Sequence, residues 1–595
     1  MSDSPANLAR ALIVSAALLA TAASGHAQEA PAPLVPPDDL FDLAPDAPSA
    51  PEIAPAAPDD RTGPRNISIG TLEEVDPEAI GVLGPDQGGF GPATWSGSDR
   101  AKIMRMIPRL PAAGRSAVMH DLTRRLMLTT AAPPTGAGEA GGLLSLRLAT
   151  LVRLGAFAGF AELLAAIPEA AITPDMRERE VDVLLLRGDT ARACEVVRGE
   201  VRESDKPYWQ RALIFCQLAE DQTGGAALSL SLLRDQGVEL DPGFLGLASV
   251  LLGEAAPEDL IVTADPINLR LLLTTDMAIP DAWLDDTDPG IWRAIAETSD
   301  VPLDTRLDAA EHAAAAGALT PQALGQLYSQ VSFLDEELRD AVAVAQRDGG
   351  PLGRALLHRA AREQQTVEQR ARVLVETLRA ARDGAGVGPT ARANAVAVLS
   401  LTPTPKLSWF ADDAVRALLA ADHYEAARAW LDVLAEAAEL DAEADQALAL
   451  VMPVAAIADP DVAGRWHPGM AQKWWRALGD DTPVEQRAAW AGRLFLLLDS
   501  LGLDVGDDGW ALLLDGPLTS ASEVPAIGVR YSLRAAARAR RTGETVLFAL
   551  LTLGETGPAV ASPLAVASAI RTLRAVGLER DARTLALEAA LESGS

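Results

Sequence analysis

The chain has few of the residues that usually carry chemistry. Its 595 residues include two cysteines, six histidines, four lysines and four tyrosines, and aromatic residues make up 4% of the total. The histidines stand singly, with no HxxxH or HExxH spacing and no His/Cys cluster, so a zinc site has no ligand set. No GxSxG sequence is present to place a catalytic serine at a strand-to-helix turn. We therefore expect no catalytic residues, no metal site and no cofactor.

Long apolar runs are also lacking. The one continuous run, Ala11–Ala23, has 13 residues, follows Arg10 and precedes the small residues Gly25 and Ala27. A membrane-spanning helix needs about 20 apolar residues, so this pattern predicts a signal peptide over residues 1–27 that is cleaved near Ala27. The alternative is an uncleaved N-terminal anchor. Because arginine greatly outnumbers lysine and alanine is abundant, as in GC-rich bacteria, we expect a periplasmic protein with no integral membrane span.

Positive charge is scarce, and the formal net charge is −32. Such an acidic chain repels nucleic acid and anionic lipid headgroups. A protein or peptide partner is therefore expected to be neutral or basic, unless the charge serves solubility alone.

Composition divides the chain into segments. Residues 28–65 contain ten prolines among Ala, Asp and Glu, which predicts a disordered linker. Residues 66–97 have Gly/Pro punctuation with isolated apolar anchors, and we expect an extended strap on the first helices. Helical periodicity then begins and continues through an N-terminal helical-repeat region, 98–385, and a C-terminal one, 386–595. The division falls near Gly384–Lys406, where GAGVGPT and TPTPK interrupt the pattern.

The fold class follows from the periodicity of these two regions. In Asp189–Arg202 apolar residues recur every three or four positions opposite a row of arginines, which indicates one buried helix face. The next helix is predicted to begin at Pro207, because proline is favoured in a first turn. Alternating Val/Ile/Thr runs joined by tight turns are almost absent, so the prediction is an all-α chain.

A local pattern recurs at four places. A short turn, centred on Gly155, Gly188, Gly577 or Asp422, is followed by a small or aromatic residue that enters the next helix. This spacing is typical of the junction in tetratricopeptide-type (TPR) repeats. It predicts an irregular TPR-like α-solenoid of antiparallel helix pairs, and the alternative is an irregular helical domain with chance matches.

Cys194 and Cys216 lie 22 residues apart on the apolar faces of two consecutive predicted helices. In an oxidising compartment two cysteines so placed predict a structural disulfide. The alternative is a pair of buried thiols, and the absence of CxxC spacing argues against a redox role.

The segment Arg465–Leu478 concentrates aromatic residues. Trp466, His467, Trp474 and Trp475 form a candidate binding surface, for example for stacking on a sugar or a partner. The alternative is packing between helices.

The segment Asp504–Asp515 has the length of a calcium loop. Gly506 supplies no side-chain oxygen at the third position, and the last acid is Asp rather than Glu. An acidic loop at a helix start is therefore the favoured interpretation.

Several stretches resemble a family of exported alphaproteobacterial helical-repeat proteins of the TPR-like α-solenoid type. They are GVLGPDQGGFGPATWSGSDR, RLMLTTAAPP, YWQRALIFCQL and RLDAAEHAAAAGALTPQALGQLY, all between residues 80 and 330. The resemblance implies a periplasmic α-solenoid and brings no activity and no catalytic residues. Some members carry antifreeze-type labels, but the regular Thr-spaced flat face that ice binding needs is missing here.

Two functions remain open from the sequence. The first is a non-catalytic periplasmic scaffold or adaptor that binds an envelope protein or peptide through its helical-repeat surface. The second is an accessory or hidden enzyme of peptidoglycan metabolism, although no lysozyme-like catalytic module with its glutamate is found. The first is the expectation carried forward.

Overall fold

The computed structural model describes residues 76–592 apart from 113, 139–140, 205, 258, 276 and 518–523. Within these residues the chain is all-α, with 31 α-helices and two isolated β-bridges but no strand. The predicted signal peptide, the predicted linker and the first part of the predicted strap lie outside the described residues. No helix among the described residues combines the length and the apolar character that crossing a membrane requires.

The helices have the following bounds. The first third contains α1 Arg100–Met106, α2 Ala117–Leu128, α3 Gly142–Arg153, α4 Phe157–Ala166, α5 Pro174–Leu186, α6 Thr190–Glu200, α7 Pro207–Ala219, α8 Thr223–Asp235, α9 Pro242–Leu251 and α10 Pro266–Thr274. The middle contains α11 Asp281–Asp285, α12 Pro289–Glu297, α13 Leu303–Ala315, α14 Pro321–Tyr328, α15 Asp335–Arg339, α16 Ala341–Asp348, α17 Gly350–Glu363, α18 Val367–Ala380, α19 Val387–Leu399, α20 Ala411–Ala420 and α21 Tyr424–Ala438. The last third contains α22 Ala442–Ala458, α23 Pro460–Ala463, α24 Gly469–Ala477, α25 Val484–Ser500, α26 Gly506–Ala511, α27 Ile527–Arg538, α28 Thr542–Leu553, α29 Gly557–Val560, α30 Pro563–Ala575 and α31 Glu579–Glu592.

The four predicted helix junctions are present. Gly155, Gly188, Gly577 and Asp422 each lie between two helices and adopt positive φ angles of 70°, 80°, 87° and 62°. A left-handed residue of this kind ends one helix and redirects the chain into the next, and glycine adopts it without steric cost. At Gly155 a Cβ would also lie 3.2 Å from the Cα of Gly290, so the two backbones meet there.

The α6–α7 pair shows how the sequence pattern becomes packing. Asp189 caps α6 by accepting a hydrogen bond from the backbone N–H of Arg192, and α7 begins at Pro207 as predicted. Cys194 and Cys216 face each other across this pair and form a disulfide, with their Cα atoms 5.6 Å apart. Both residues are buried. The predicted disulfide is confirmed.

The residues just before α1 run along the end of α2. The backbone N–H of Val82 donates to Leu128 O at 2.9 Å, and that of Thr130 donates to Leu83 O at 3.0 Å. Trp95 is buried, and Thr94 O accepts a hydrogen bond from the N–H of Gly543 at the start of α28. This segment therefore contacts both early and late helices of the chain.

The last helix departs from the contact pattern of a simple solenoid, in which each repeat touches only its neighbours in sequence. Besides α30, α31 packs against α2, α19 and α22. Glu588 accepts a hydrogen bond from the backbone N–H of Val118 at the start of α2, and Glu592 accepts one from Val387 at the start of α19. The all-α fold of packed helix pairs is confirmed, whereas the TPR-like solenoid stays a prediction.

Candidate functional site

Two adjoining cavities flank the junction between α16 and α17. The sequence there is Asp-Gly-Gly-Pro, and Gly349 and Gly350 have φ angles of +62° and +63°. Only glycine takes two such angles in succession at low cost, so one residue suffices to reverse the chain between the helices. Both cavities are lined by Gly349, Gly350 and Gly353, and we call the pair of cavities the α16–α17 groove.

The larger cavity has an apolar wall. Its volume is about 550 Å³, and Phe333, Val344 and Leu352 line it together with the buried Val331 and Leu356. Leu352 is 46% exposed, which makes it the apolar side chain of this wall most open to solvent. An apolar concavity of this size accommodates a large aliphatic or aromatic side chain.

Carboxylates form the rim of the larger cavity. Asp304, Glu337 and Asp348 line it, and no lysine or arginine does so among the described residues. Glu337 accepts a hydrogen bond from the backbone N–H of Leu334 at 2.7 Å, which fixes its position. The Arg347 guanidinium beside Asp348 holds the pKa of that carboxyl below its ordinary value. The rim therefore favours a cationic or hydrogen-bond-donating group next to the apolar wall.

The smaller cavity, of about 350 Å³, has a mixed polar lining. Gln346 donates to Glu376 at 3.2 Å, and Arg379 and Asp383 also line the cavity. Arg354 lines it as well. One end of the groove is apolar and the other carries paired polar groups. A peptide bound along it would therefore have one preferred direction.

A buried network holds Arg354 in place. Its Nε donates to Glu311 Oε1 at 2.8 Å and its Nη2 to Glu311 Oε2 at 2.5 Å, while Tyr328 donates to the same Oε1 at 2.7 Å. Burial raises the pKa of the Tyr328 hydroxyl well above its ordinary value. The tyrosine therefore remains protonated and donates to Glu311, and the network is a fixed support.

His358 packs beside this network, with its ring centroid 5.3 Å from that of Tyr328. Burial lowers the pKa of His358 to about 3, so the ring is neutral at physiological pH. It contributes to neither cavity lining among the described residues. The cluster therefore contains residue types that are found in acid–base sites, but its members are held in fixed positions within the helical core.

Two side chains, one on α17 and one just after it, hold the segment 331–338, which contributes Phe333 and Glu337 to the larger cavity. Arg359 Nη1 donates to the carbonyl of Val331 at 3.0 Å, and Gln364 donates to that of Leu338 at 2.7 Å. No side chain caps the N-terminus of α17 at Gly349. The first backbone N–H groups of a helix have no partner within the helix, so those at the groove are donors for water or a bound carbonyl.

The aromatic segment that the sequence singled out is not a surface platform. Trp474 and Trp475 are 1% and 8% exposed, and Trp474 packs edge-on against Phe495 at 6.0 Å. Trp466 is half-buried and donates its indole N–H to the carbonyl of Asp504 at 2.8 Å. His467 alone is exposed. For Trp474 and Trp475 the candidate binding surface is therefore corrected to inter-helix packing, because α24 packs against α22, with α25 and α26 beside it. A binding role for the half-buried Trp466 and the exposed His467 stays a prediction.

The acidic segment Asp504–Asp515 begins just before α26, spans that helix and ends with the short 3-10 helix Leu512–Asp515. Asp504 accepts a hydrogen bond from the backbone N–H of Gly506 at 2.9 Å, as residues before a helix commonly do. In the part of the chain that the structure describes, no three His, Cys, Asp or Glu side chains are grouped to hold a metal ion.

Another concavity, of about 640 Å³, lies beside α21. It is lined by Leu399, Asp422, Tyr424 and Trp430 among others, and Tyr424 donates to Asp422 at 3.1 Å across its edge. It is a more open depression than the α16–α17 groove. It fits an extended ligand less well for this reason.

Comparison with known proteins gives no match to a family model, to a curated protein or to a solved structure. The function is therefore inferred from the geometry of the chain itself.

Proposed function

We propose that the chain is a non-catalytic periplasmic scaffold that binds an extended segment of another envelope protein in the α16–α17 groove. The observation that carries the proposal is the adjoining pair of cavities, one with an apolar wall and an acidic rim, the other polar. A helical framework that offers a preformed groove is a common means of peptide recognition.

The chemistry of the groove supports a particular kind of ligand. An apolar side chain enters the larger cavity against Phe333 and Leu352, and a Lys or Arg nearby in the same segment faces Asp304, Glu337 and Asp348. A carbonyl of the bound segment accepts from the uncapped N-terminus of α17. The partner is accordingly neutral or basic, as the net charge of the whole chain also favours.

The disulfide supports the proposed compartment. Cys194 and Cys216 are joined, and stable disulfides occur mainly in oxidising compartments such as the periplasm. The predicted signal peptide points in the same direction.

Site-specific crosslinking identifies the ligand. A photoreactive residue in place of Leu352 in the full exported chain would capture whatever lies against the apolar wall in living cells. The same residue in place of Leu440, which is 93% exposed in the turn before α22, is the matched control. We expect crosslinking from position 352 and none from position 440. The captured peptides should contain an apolar residue with a Lys or Arg close to it in sequence.

The captured sequence, made as a labelled peptide, then gives the quantitative test. Leu352→Glu should weaken its binding at least tenfold, because a charged side chain would replace part of the apolar wall, whereas Leu440→Glu should leave it unchanged. Equal binding to both variants would contradict the proposal. Release of muropeptides from purified peptidoglycan by the isolated protein would favour cell-wall enzymology in its place.

A further inference from the structure

A second surface lies on α27, where the sequence is strongly basic against the trend of the chain. Residues 524–543 contain five arginines and no Asp or Glu, in a protein whose net charge is −32. Three of these arginines, Arg530, Arg534 and Arg538, follow each other at intervals of four. Like charges at this spacing destabilise a helix by about 0.2–0.5 kcal/mol per pair, so an isolated helix gains nothing from the arrangement.

The helix divides into a buried and a solvent face. Leu533, Ala536 and Ala537 are buried, and α27 packs against α28 and α30. Ile527 and Tyr531 are 84% and 75% exposed. At 100° per residue these two side chains and the three arginines span about 100° of the helix surface, opposite the buried Ala536. Arg530 borders the buried Ala537, and Arg530 and Arg534 are half-buried whereas Arg538 is exposed. We call the set Ile527, Arg530, Tyr531, Arg534 and Arg538 the α27 stripe.

The arginines of the stripe make no side-chain polar contacts with the rest of the described structure. Arg541, just beyond the helix, pairs with Glu544 and donates to the carbonyl of Gly97. In contrast, Arg530, Arg534, Arg538 and the neighbouring Arg540 have no ion pair or side-chain hydrogen bond with any residue that the structure describes. Guanidinium groups beside exposed Tyr and Ile are the composition typical of protein-binding hot spots.

We infer that the α27 stripe is a docking surface for an acidic, extended segment of a partner protein, separate from the α16–α17 groove. Arg at i and i+4 stand about 6 Å apart along the helix, and alternate side chains of an extended segment are about 6.6 Å apart. Asp or Glu at alternate positions therefore meets successive guanidinium groups, each able to hold a carboxylate through two hydrogen bonds. Tyr531 and Ile527 receive an apolar side chain of the same segment.

An anionic membrane fits the stripe less well. Helices that lie on membranes bury a broad apolar face, and here Ile527 and Tyr531 are its only large apolar members. A chain of net charge −32 is also repelled by an extended anionic surface, which faces many of its carboxylates at once. A short acidic segment reaches the arginines without meeting the rest of the acidic surface.

The test uses the full mature chain and a fluorescent probe peptide with four Glu at alternate positions around one central Trp. Binding is measured by fluorescence anisotropy at low and physiological salt. The wild-type protein should bind the probe with an affinity that falls as salt rises. The double variant Arg534→Glu with Arg538→Glu should bind at least tenfold more weakly. A probe in which Gln replaces every Glu should also bind at least tenfold more weakly to the wild type.

The matched control is Arg192→Glu with Arg202→Glu, which makes the same charge change at exposed arginines on and just after α6. Its affinity for the probe should stay within twofold of the wild type. Equal loss in both double variants would reduce the effect to net charge and overturn the proposal. No wild-type binding, or variant-sensitive binding only to vesicles containing phosphatidylglycerol, would overturn it as well. Since Leu352→Glu leaves the stripe intact, it should bind the probe normally, which separates this test from that of the groove.

Discussion

Arg125 in α2 and Asp581 in α31 form an ion pair across 456 residues of sequence, with Nη1 and Oδ1 2.6 Å apart. Each side chain is 16% exposed. A partly buried pair is less screened by solvent than a surface pair, although removing the two charges from water offsets part of their attraction. The two ends of the described helical array are thereby fastened to each other.

A double-mutant cycle at this contact should reveal coupling. We expect Arg125→Gln and Asp581→Asn to interact by about 1 kcal/mol in the free energy of unfolding, measured with urea, as contacting residues do. The more exposed pair Arg293–Glu297 within α12, whose side chains are 28% and 43% exposed, is the control, and its coupling should be smaller. If the effects of the two substitutions on the free energy of unfolding were strictly additive, the ion pair would not stabilise the contact between α2 and α31.

The contact between α2 and α31 should also make the stability of the fold depend on pH, through Glu588. Its Oε2 accepts from the backbone N–H of Val118 at 3.2 Å, the Ser116 hydroxyl also favours the ionised form, and Glu592 and Arg392 lie near it. Burial, which outweighs the hydrogen bonds, raises the pKa of Glu588 to about 7. The folded chain therefore keeps a proton between about pH 4.5 and 7 that the unfolded chain releases, and stability falls as pH rises through this window.

Replacing Glu588 by Gln removes that dependence. At pH 8 the variant should be more stable than the wild type by on the order of 3 kcal/mol, because no buried charge forms, and at pH 4 the two should be alike. Urea unfolding at both pH values measures the difference. Glu436→Gln on the exposed face of α21 is the control and should give no such divergence. A Glu588→Gln variant less stable at pH 8 would show that the ionised carboxylate is needed.

The Cys194–Cys216 disulfide should stabilise the α6–α7 pair. Closing a loop of 22 residues is worth about 3 kcal/mol through the entropy of the unfolded chain. We expect the double variant Cys194→Ala with Cys216→Ala, which keeps both buried sites apolar, to lose about that amount in denaturant unfolding. Dithiothreitol should destabilise the wild type and leave the double variant unchanged. If dithiothreitol destabilised the wild type and the double variant equally, its effect could not come from the Cys194–Cys216 disulfide.

Substitutions at Trp474 and His467, which are seven residues apart, should differ greatly in their effect on stability. Trp474 is buried against Phe495, so Trp474→Ala should cost about 3–5 kcal/mol of stability through lost packing and a cavity. His467 is exposed, and His467→Ala should change stability by less than about 0.5 kcal/mol. Thermal unfolding of the two variants checks this. Similar effects at both positions would contradict the assignment of the tryptophans to the core.

The features that could be predicted from the sequence are local ones. Gly155, Gly188 and Gly577 were recognisable because a turn residue between two apolar stripes has one simple geometry. Cys194 and Cys216 were recognisable because consecutive antiparallel helices bring their apolar faces together. In each case the partners are close in sequence and the helical period of 3.6 residues fixes their orientation.

The contacts that could not be predicted join residues far apart in sequence. Nothing in the composition of α31 indicates that Asp581 and Glu588 meet α2, since charged residues on an amphipathic helix are ordinarily on its solvent face. The groove shows the same limit. Asp-Gly-Gly-Pro signals a turn, but cavities on both sides of it depend on how α15, α16 and α18 pack around α17. The arginine run of α27 was visible in the sequence, and its lack of partners was not.

The meeting of α2 with α31 also has a consequence for the order of folding. Arg125 and Asp581 are 456 residues apart, so in a chain that is exported from its N-terminus, as proposed above, α2 reaches the folding compartment well before α31. Until α31 follows, the side of α2 that it covers has no native neighbour there. The chain therefore offers chaperones an interval in which its earliest described helices are incompletely covered, and a chain truncated before α31 loses part of its packing at the opposite end.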